Sequence, residues 1–121
     1  MRAIHPVHLN DSGLEVSNLH KGLLFLVVHQ PGISDNDRQI LQRQLAPEVR
    51  TETFGAATAE LVGTWQYQFK NWPKYFPGLP PNLKAKVGSL PILVNSGKGN
   101  GDVDSVTAEA LNWFLQKLGA L

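Results

Sequence analysis

Cysteine is absent from all 121 residues, so neither disulfide staples nor thiolate metal sites hold this chain together. That absence suits the cytosol, and it suits equally a bacterial envelope protein that manages without disulfides, so it leaves the compartment open. An excess of either charge is missing too: eleven Lys and Arg face ten Asp and Glu, for a net charge of +1. So even a balance offers no electrostatic footprint for a phosphate backbone or an anionic membrane, and nucleic acid is not expected as a partner. Long apolar runs are missing as well. The best is "LLFLVV", residues 23–28, far short of the roughly 18 residues that cross a bilayer, so no membrane span is expected. The opening residues "MRAIHPVHLNDSG" hold one Arg and no apolar stretch, so no secretory signal peptide is legible. The chain is therefore exported by another route, or it is a piece of a larger protein.

What is present is helical periodicity. A chain of this length fits one domain that buries roughly two-thirds of its unfolded surface. Residues 1–15 read as an N-terminal arm. After "NDSG", Val16, Leu19, Leu23 and Leu26 recur at steps of three and four, which predicts a helix over 16–29. Beyond the breaker Pro31-Gly32, Ser34 is placed to cap a second helix over 34–46, with Asp35 and Asp37 in its first turn and Ile40, Leu41 and Leu45 on its apolar face. A third helix, over 56–70, carries Leu61, Val62, Trp65 and Phe69 on one face. A fourth, over 105–118, has Asp104 as its N-cap, Gly119 as its C-cap and Ala110, Leu111, Phe114, Leu115 and Leu118 as its buried stripe. Between them, residues 71–101 hold Pro73, Pro77, Pro80, Pro81, Pro91 and several glycines, and read as a long ordered insertion with an apolar patch at "SLPILVNSG".

Several constellations invite chemistry. His5 and His8 in "HPVH" have a zinc-like spacing, but no third ligand or general base accompanies them, so no metal is expected. "GDVD", residues 101–104, lacks the later oxygen ligands of a calcium loop, and capping accounts better for Asp104. "NSGKGNGD", residues 95–102, is glycine-rich without the Gly-Lys-Ser/Thr of a phosphate loop, and reads as a mobile turn. His20 reads as a helix-edge hydrogen bond to the chain. No nucleophile stands beside a base at readable spacing, so the chain is expected to be neither an enzyme nor a cofactor protein. Phe54, Leu61, Val62, Trp65 and Phe69 read as scaffold, although the Trp65 indole N–H needs a partner. Trp72, Tyr75 and Phe76 lie beyond the third helix, where burial is less obligatory and flat rings can stack on sugars. Trp113 falls off the stripe of the fourth helix, as a semi-buried edge or an exposed contact.

The third and fourth helices also repeat one another. Aligning Thr58 with Thr107 sets Leu61 over Ala110, Val62 over Leu111, Trp65 over Phe114 and Gln66 over Leu115.

At these residues the chain resembles the peptidoglycan-binding-domain-like family, whose pattern runs V-x-x-L-(Q/H)-x-x-L and then (F/Y)-G-x-x-T-x-x-A-V-x-x-F-Q. The first half falls on Val16, Leu19, His20 and Leu23, and the second on Phe54, Gly55, Thr58, Leu61, Val62, Trp65 and Gln66. Leu61 replaces the usual small residue and Trp65 the usual Phe. The tail is similar to the family's closing G-x-V-D-x-x-T-x-x-A-L, on Gly101, Val103, Asp104, Thr107, Ala110 and Leu111. The likeness covers Val16 to Phe69 and Gly101 to Leu118, and leaves the insertion outside.

The resemblance implies an all-α fold, a small three-helix bundle with an appended fourth helix. It implies a non-catalytic module that binds peptidoglycan and anchors a larger exported bacterial protein at the envelope or outside the cell. The ligand expected is the glycan or the stem peptide, in a groove between the first and third helices. Trp72 and Tyr75 would stack there, and Gln66, Gln68 and Asn71 would hydrogen-bond. The alternative is a protein interaction or assembly module of a large toxin-like polypeptide, docking its other domains through the exposed apolar "PILV" and the neighbouring aromatics.

Overall fold

In the computed structural model, which describes residues 1–121, the apolar stripes read from the sequence face one shared core. The fold is all-α. Its helices are α1 (Leu14–His29), α2 (Asp35–Thr51), α3 (Ala56–Asn71), α4 (Pro81–Val87) and α5 (Ser105–Lys117), with a 3-10 turn at Pro73–Tyr75. Val16, Leu19, Leu23, Leu26 and Val27 of α1 pack with Leu61, Val62, Trp65 and Phe69 of α3 and with Leu111, Phe114 and Leu115 of α5. No helix is long and apolar enough to cross a membrane.

The caps follow the chemistry of their residues. Ser34 accepts from the Asp37 N–H at 3.1 Å, and Asp104 accepts from the Thr107 N–H at 2.7 Å, each serving a donor that the first turn leaves unpaired. At the far end of α5, Gly119 has a φ of 86°. Its N–H bonds to Gln116 O, and the Ala120 N–H bonds back to Leu115 O, which closes the helix in a Schellman motif.

Three expectations are corrected. The second helix does not stop at residue 46 but runs through Pro47 to Thr51. Pro47 and Arg43 both lie on the exposed face, where water can serve the Arg43 carbonyl that the missing N–H leaves free. The insertion is not unbroken loop: it holds the 3-10 turn and α4, both opened by a proline in the first helical turn, where the lost N–H is no loss. Leu83 and Val87 of α4 and the neighbouring Leu90 enter the core, while "PILV" forms no strand beyond the isolated Ile92–Gly99 bridge. Lastly, α1 begins at Leu14, and the arm before it is built into the fold. Ile4 and Val7 are buried. Val7 exchanges both backbone hydrogen bonds with Val103, at 3.1 and 3.0 Å. Asn112 accepts from Ile4 N at 2.7 Å and donates to Ile4 O at 2.9 Å, so its amide stands in for a neighbouring strand.

The glycine-rich turn 95–102 is docked on α3. Gly99 donates to Gly63 O at 2.7 Å, an approach that requires the two helix and turn backbones to meet without side chains. A Cβ on Gly63 would stand 2.9 Å from Gly99 O, and one on Gly99 would collide with Gln66.

Candidate functional site

Three groups of polar and aromatic side chains organise the molecule, and only one of them faces solvent. The first is internal. Gln66, 0 % exposed, donates through Nε2 to Asp102 O at 2.7 Å and to Thr107 Oγ1 at 2.9 Å, and accepts from Gly101 N at 2.9 Å through Oε1. Its side chain is fully engaged in tying α3 to the start of α5. Gln66 therefore leaves the expected ligand set, because no ligand atom can reach it.

The second group caps α3 from outside that helix. The N-cap residue Gly55 has no side chain to offer, and Glu48 of α2 does the work instead. Its carboxylate accepts from the N–H groups of Gly55, Ala57 and Thr58, each at 2.9 Å, and from the Thr58 hydroxyl at 2.6 Å. A Cβ on Gly55 would stand 2.7 Å from that carboxylate. Partial burial works to raise the Glu48 carboxyl, but the Thr58 hydroxyl and the three amides outweigh it and hold the pKa below its ordinary value.

His20 of α1 lies 2.8 Å from the same Thr58 hydroxyl through Nε2. The only hydroxyl proton goes to Glu48, so Nε2 carries the imidazole proton and donates. Nδ1 is buried without a partner. Burial pushes the His20 pKa down, against the opposing pull of the Glu48 charge. The expected helix-edge bond to the chain is instead a bond across helices to a side chain. Although Glu, Thr and His meet here, the imidazole is a donor to the hydroxyl rather than its base, and Thr58 is fully buried, so the trio has structural chemistry only.

The repeat acquires a physical meaning at this point. Thr58 and Thr107 occupy the same third position of α3 and α5, each with its N–H on a carboxylate and its hydroxyl accepting from a neighbouring helix. In α5 the carboxylate is local, from Asp104; in α3 it is borrowed from Glu48.

The third group is open. Residues 30–33, between α1 and α2, wall two adjoining hollows of about 310 and 200 Å³ that share Gln30, Gly32, Ile33 and Gln68. The larger runs between α2 and α3 and is lined by Ile40, Leu61 and Trp65; the smaller ends on Trp72 and Tyr75. The groove thus lies beside the α1–α2 turn and α2, not between α1 and α3 as expected. Its floor is fixed by a relay: the Trp65 indole N–H donates to Gln30 Oε1 at 2.6 Å, and Gln30 Nε2 donates to Gln68 Oε1 at 3.2 Å. Its wall is fixed by Arg38, whose guanidinium donates to the carbonyls of Val27, Val28 and Gln30 at the end of α1 and of Ile33 in the turn beyond.

Of the residues expected from the sequence, the structure brings Gln68, Trp72 and Tyr75 together at this groove. Trp72 is 43 % and Tyr75 53 % exposed, with ring centroids 5.7 Å apart at 65°. Asn71 stands away from it, exposed, with its amide on Tyr67 O at 3.3 Å. Sequence reasoning missed Arg38, Gln30 and Glu48, whose only signals were polar residues beside a helix end. His5 and His8 are exposed, and no group of three or more His, Asp or Glu side chains converges as metal ligands would. No family model, curated protein or solved structure matches this chain.

Proposed function

We propose that this chain is a non-catalytic binding module of the peptidoglycan-binding type, which anchors a larger bacterial protein at the cell wall. The observation that carries the reading is the exposed Trp72–Tyr75 pair at the end of a rigid groove, beside Gln68. Two solvent-facing rings at an angle suit the apolar C–H faces of a sugar chain, and a neighbouring amide suits its hydroxyl and acetamido groups. Asp37 is the one charged lining residue, and Lys74 Nζ stands 5.5 Å over the Tyr75 ring at the other end, a balance that suits a neutral glycan or a stem peptide carrying both charges.

The test is a pull-down on purified peptidoglycan sacculi with wild type beside Trp72→Ala and Tyr75→Ala, after circular dichroism has matched the folds. Retention of wild type and loss of both variants is the expected result. Failure of folded wild type to bind at tens of micromolar (of order −6 kcal/mol or weaker) would sink the reading.

One observation favours the assembly-module alternative. Val94 is 87 % and its neighbour Leu93 51 % exposed, on the turn that follows α4. An oligomer in light scattering that is lost in Leu93→Ser/Val94→Ser, with no retention on sacculi, would favour that reading.

A further inference from the structure

Trp113 is absorbed by neither the core stripe of α5 nor the groove described above. Its ring lies nearly parallel to Phe114, at 18° with centroids 6.2 Å apart, and is partly exposed. Of the three tryptophans only Trp65 gives its indole N–H to the protein, so Trp113 keeps a free donor. It lines a hollow of about 480 Å³ between the N-terminal arm, α4 and α5. That volume falls within the range of small-ligand sites.

The lining chemistry narrows the ligand. Asn112 is locked on Ile4 by both ends of its amide and makes a rigid back wall. Asn82 from α4 and Gln116 from α5 are exposed and contribute amides that the fold does not use. The one charged side chain in the lining, Glu109, has both oxygens 3.3 Å from Lys86 Nζ, so no unpaired side-chain charge faces a ligand there. An anion is disfavoured, and so is a purely hydrocarbon ligand, which would strand the amides. One flat ring flanked by free donors and acceptors of no net charge matches an uncharged saccharide.

We propose that this hollow is a saccharide-binding site, formed by Trp113, Asn82 and Gln116 and sharing no residue with the Trp72 groove. It stands on its own lining chemistry and does not require the cell-wall reading. If both sites bind, one module holds two glycan segments at once, and retention on a polymer is multiplied by effective concentration.

The indole N–H resonances of Trp72 and Trp113 in a 1H–15N spectrum of the full chain report the two sites separately. Titration with chitotetraose is expected to move the Trp113 signal saturably, in wild type and equally in Trp72→Ala. The double variant Asn82→Ala/Gln116→Ala changes only exposed side chains and should keep the fold; it is expected to weaken binding at Trp113 about tenfold. A Trp113 signal that stays still to about 10 mM ligand, whether or not Trp72 moves, overturns the proposal. So does a Trp113 response of undiminished affinity in the double variant. Movement of Trp113 with Trp72 silent supports this site and counts against glycan binding at the first groove.

Discussion

Replacing Glu48 removes an acceptor that serves four donors, three of them backbone N–H groups of the first turn of α3. Losing a helix N-cap costs about 1–2 kcal/mol. Leaving the buried Thr58 hydroxyl without its acceptor adds about 1–2 kcal/mol. Glu48→Ala should therefore destabilise the fold by about 3 kcal/mol, which for a chain of this size lowers Tm by roughly 10 °C. Glu48→Gln keeps the shape and one good acceptor oxygen and should cost about 1 kcal/mol. Thermal and urea melts of both variants, with Thr58→Val and the double variant Glu48→Ala/Thr58→Val, separate this network from a generic surface effect. Because the two side chains share one hydrogen bond, the double variant should fall short of additivity by about 1 kcal/mol or more.

The pH arm follows from the lowered Glu48 pKa. The unfolded chain binds a proton near the ordinary value of 4.5, where the folded chain still refuses it. This stability is complete above that value and is lost as the pH falls through the lower folded pKa. Glu48→Gln should lose less stability than wild type between about pH 5 and about pH 3. A cost for Glu48→Ala below about 0.5 kcal/mol, or strict additivity with Thr58→Val, would refute the capping account.

Three further outcomes are expected. Burial holds His20 below its ordinary 6.5, against the pull of Glu48. Its neutral form contributes stability that is complete above that value and lost as the pH falls below it, so the urea midpoint should drop between about pH 7.5 and about pH 5.5; an equal drop in His20→Gln would refute this. Gly99→Ala must push a Cβ into the Gln66 side chain, and calorimetry should read a loss of about 2–3 kcal/mol, whereas Gly97→Ala, whose Cβ meets nothing, should be limited to the smaller strain of its positive φ. Arg38→Met should cost about 1–2 kcal/mol by stranding carbonyls at the end of α1. It should also speed hydrogen exchange at residues 30–33 and weaken sacculus retention; unchanged exchange there would remove Arg38 from its positioning role.

How far the sequence could be read depends on how far apart the interacting residues lie. The α1, α3 and α5 stripes and the Ser34 and Asp104 caps are local patterns, repeated within a few residues, and they surfaced directly. The brevity of α4 hid it: seven residues with Leu83 and Val87 as its only buried positions read as loop beside two prolines, although a proline in the first turn opens a helix as readily as it ends one. Gln66 looked like a ligand residue because its partners, at 101, 102 and 107, lie 35 to 41 residues away. Gln30 acts over the same span, 35 and 38 residues, while Glu48 and Arg38 reach only 5 to 11 residues but across a turn into the neighbouring helix, and periodicity within one helix cannot register either kind of pairing. Trp72 and Tyr75 were legible as surface aromatics because the helix pattern had already ended before them.

The pairing of Ile4 with Asn112 spans 108 residues, and it has a consequence for synthesis on the ribosome. At about 5–20 residues per second, the extended segment around Ile4 waits roughly 5–20 s for the amide that will receive it. Through that interval Ile4 has the Gly22 face of α1 beside it, but the backbone partner of Val7 and the amide that pairs with Ile4 do not yet exist. The core is therefore completed only once residue 112 has been made and has left the ribosome, and closure of this long loop is expected to set the pace of folding.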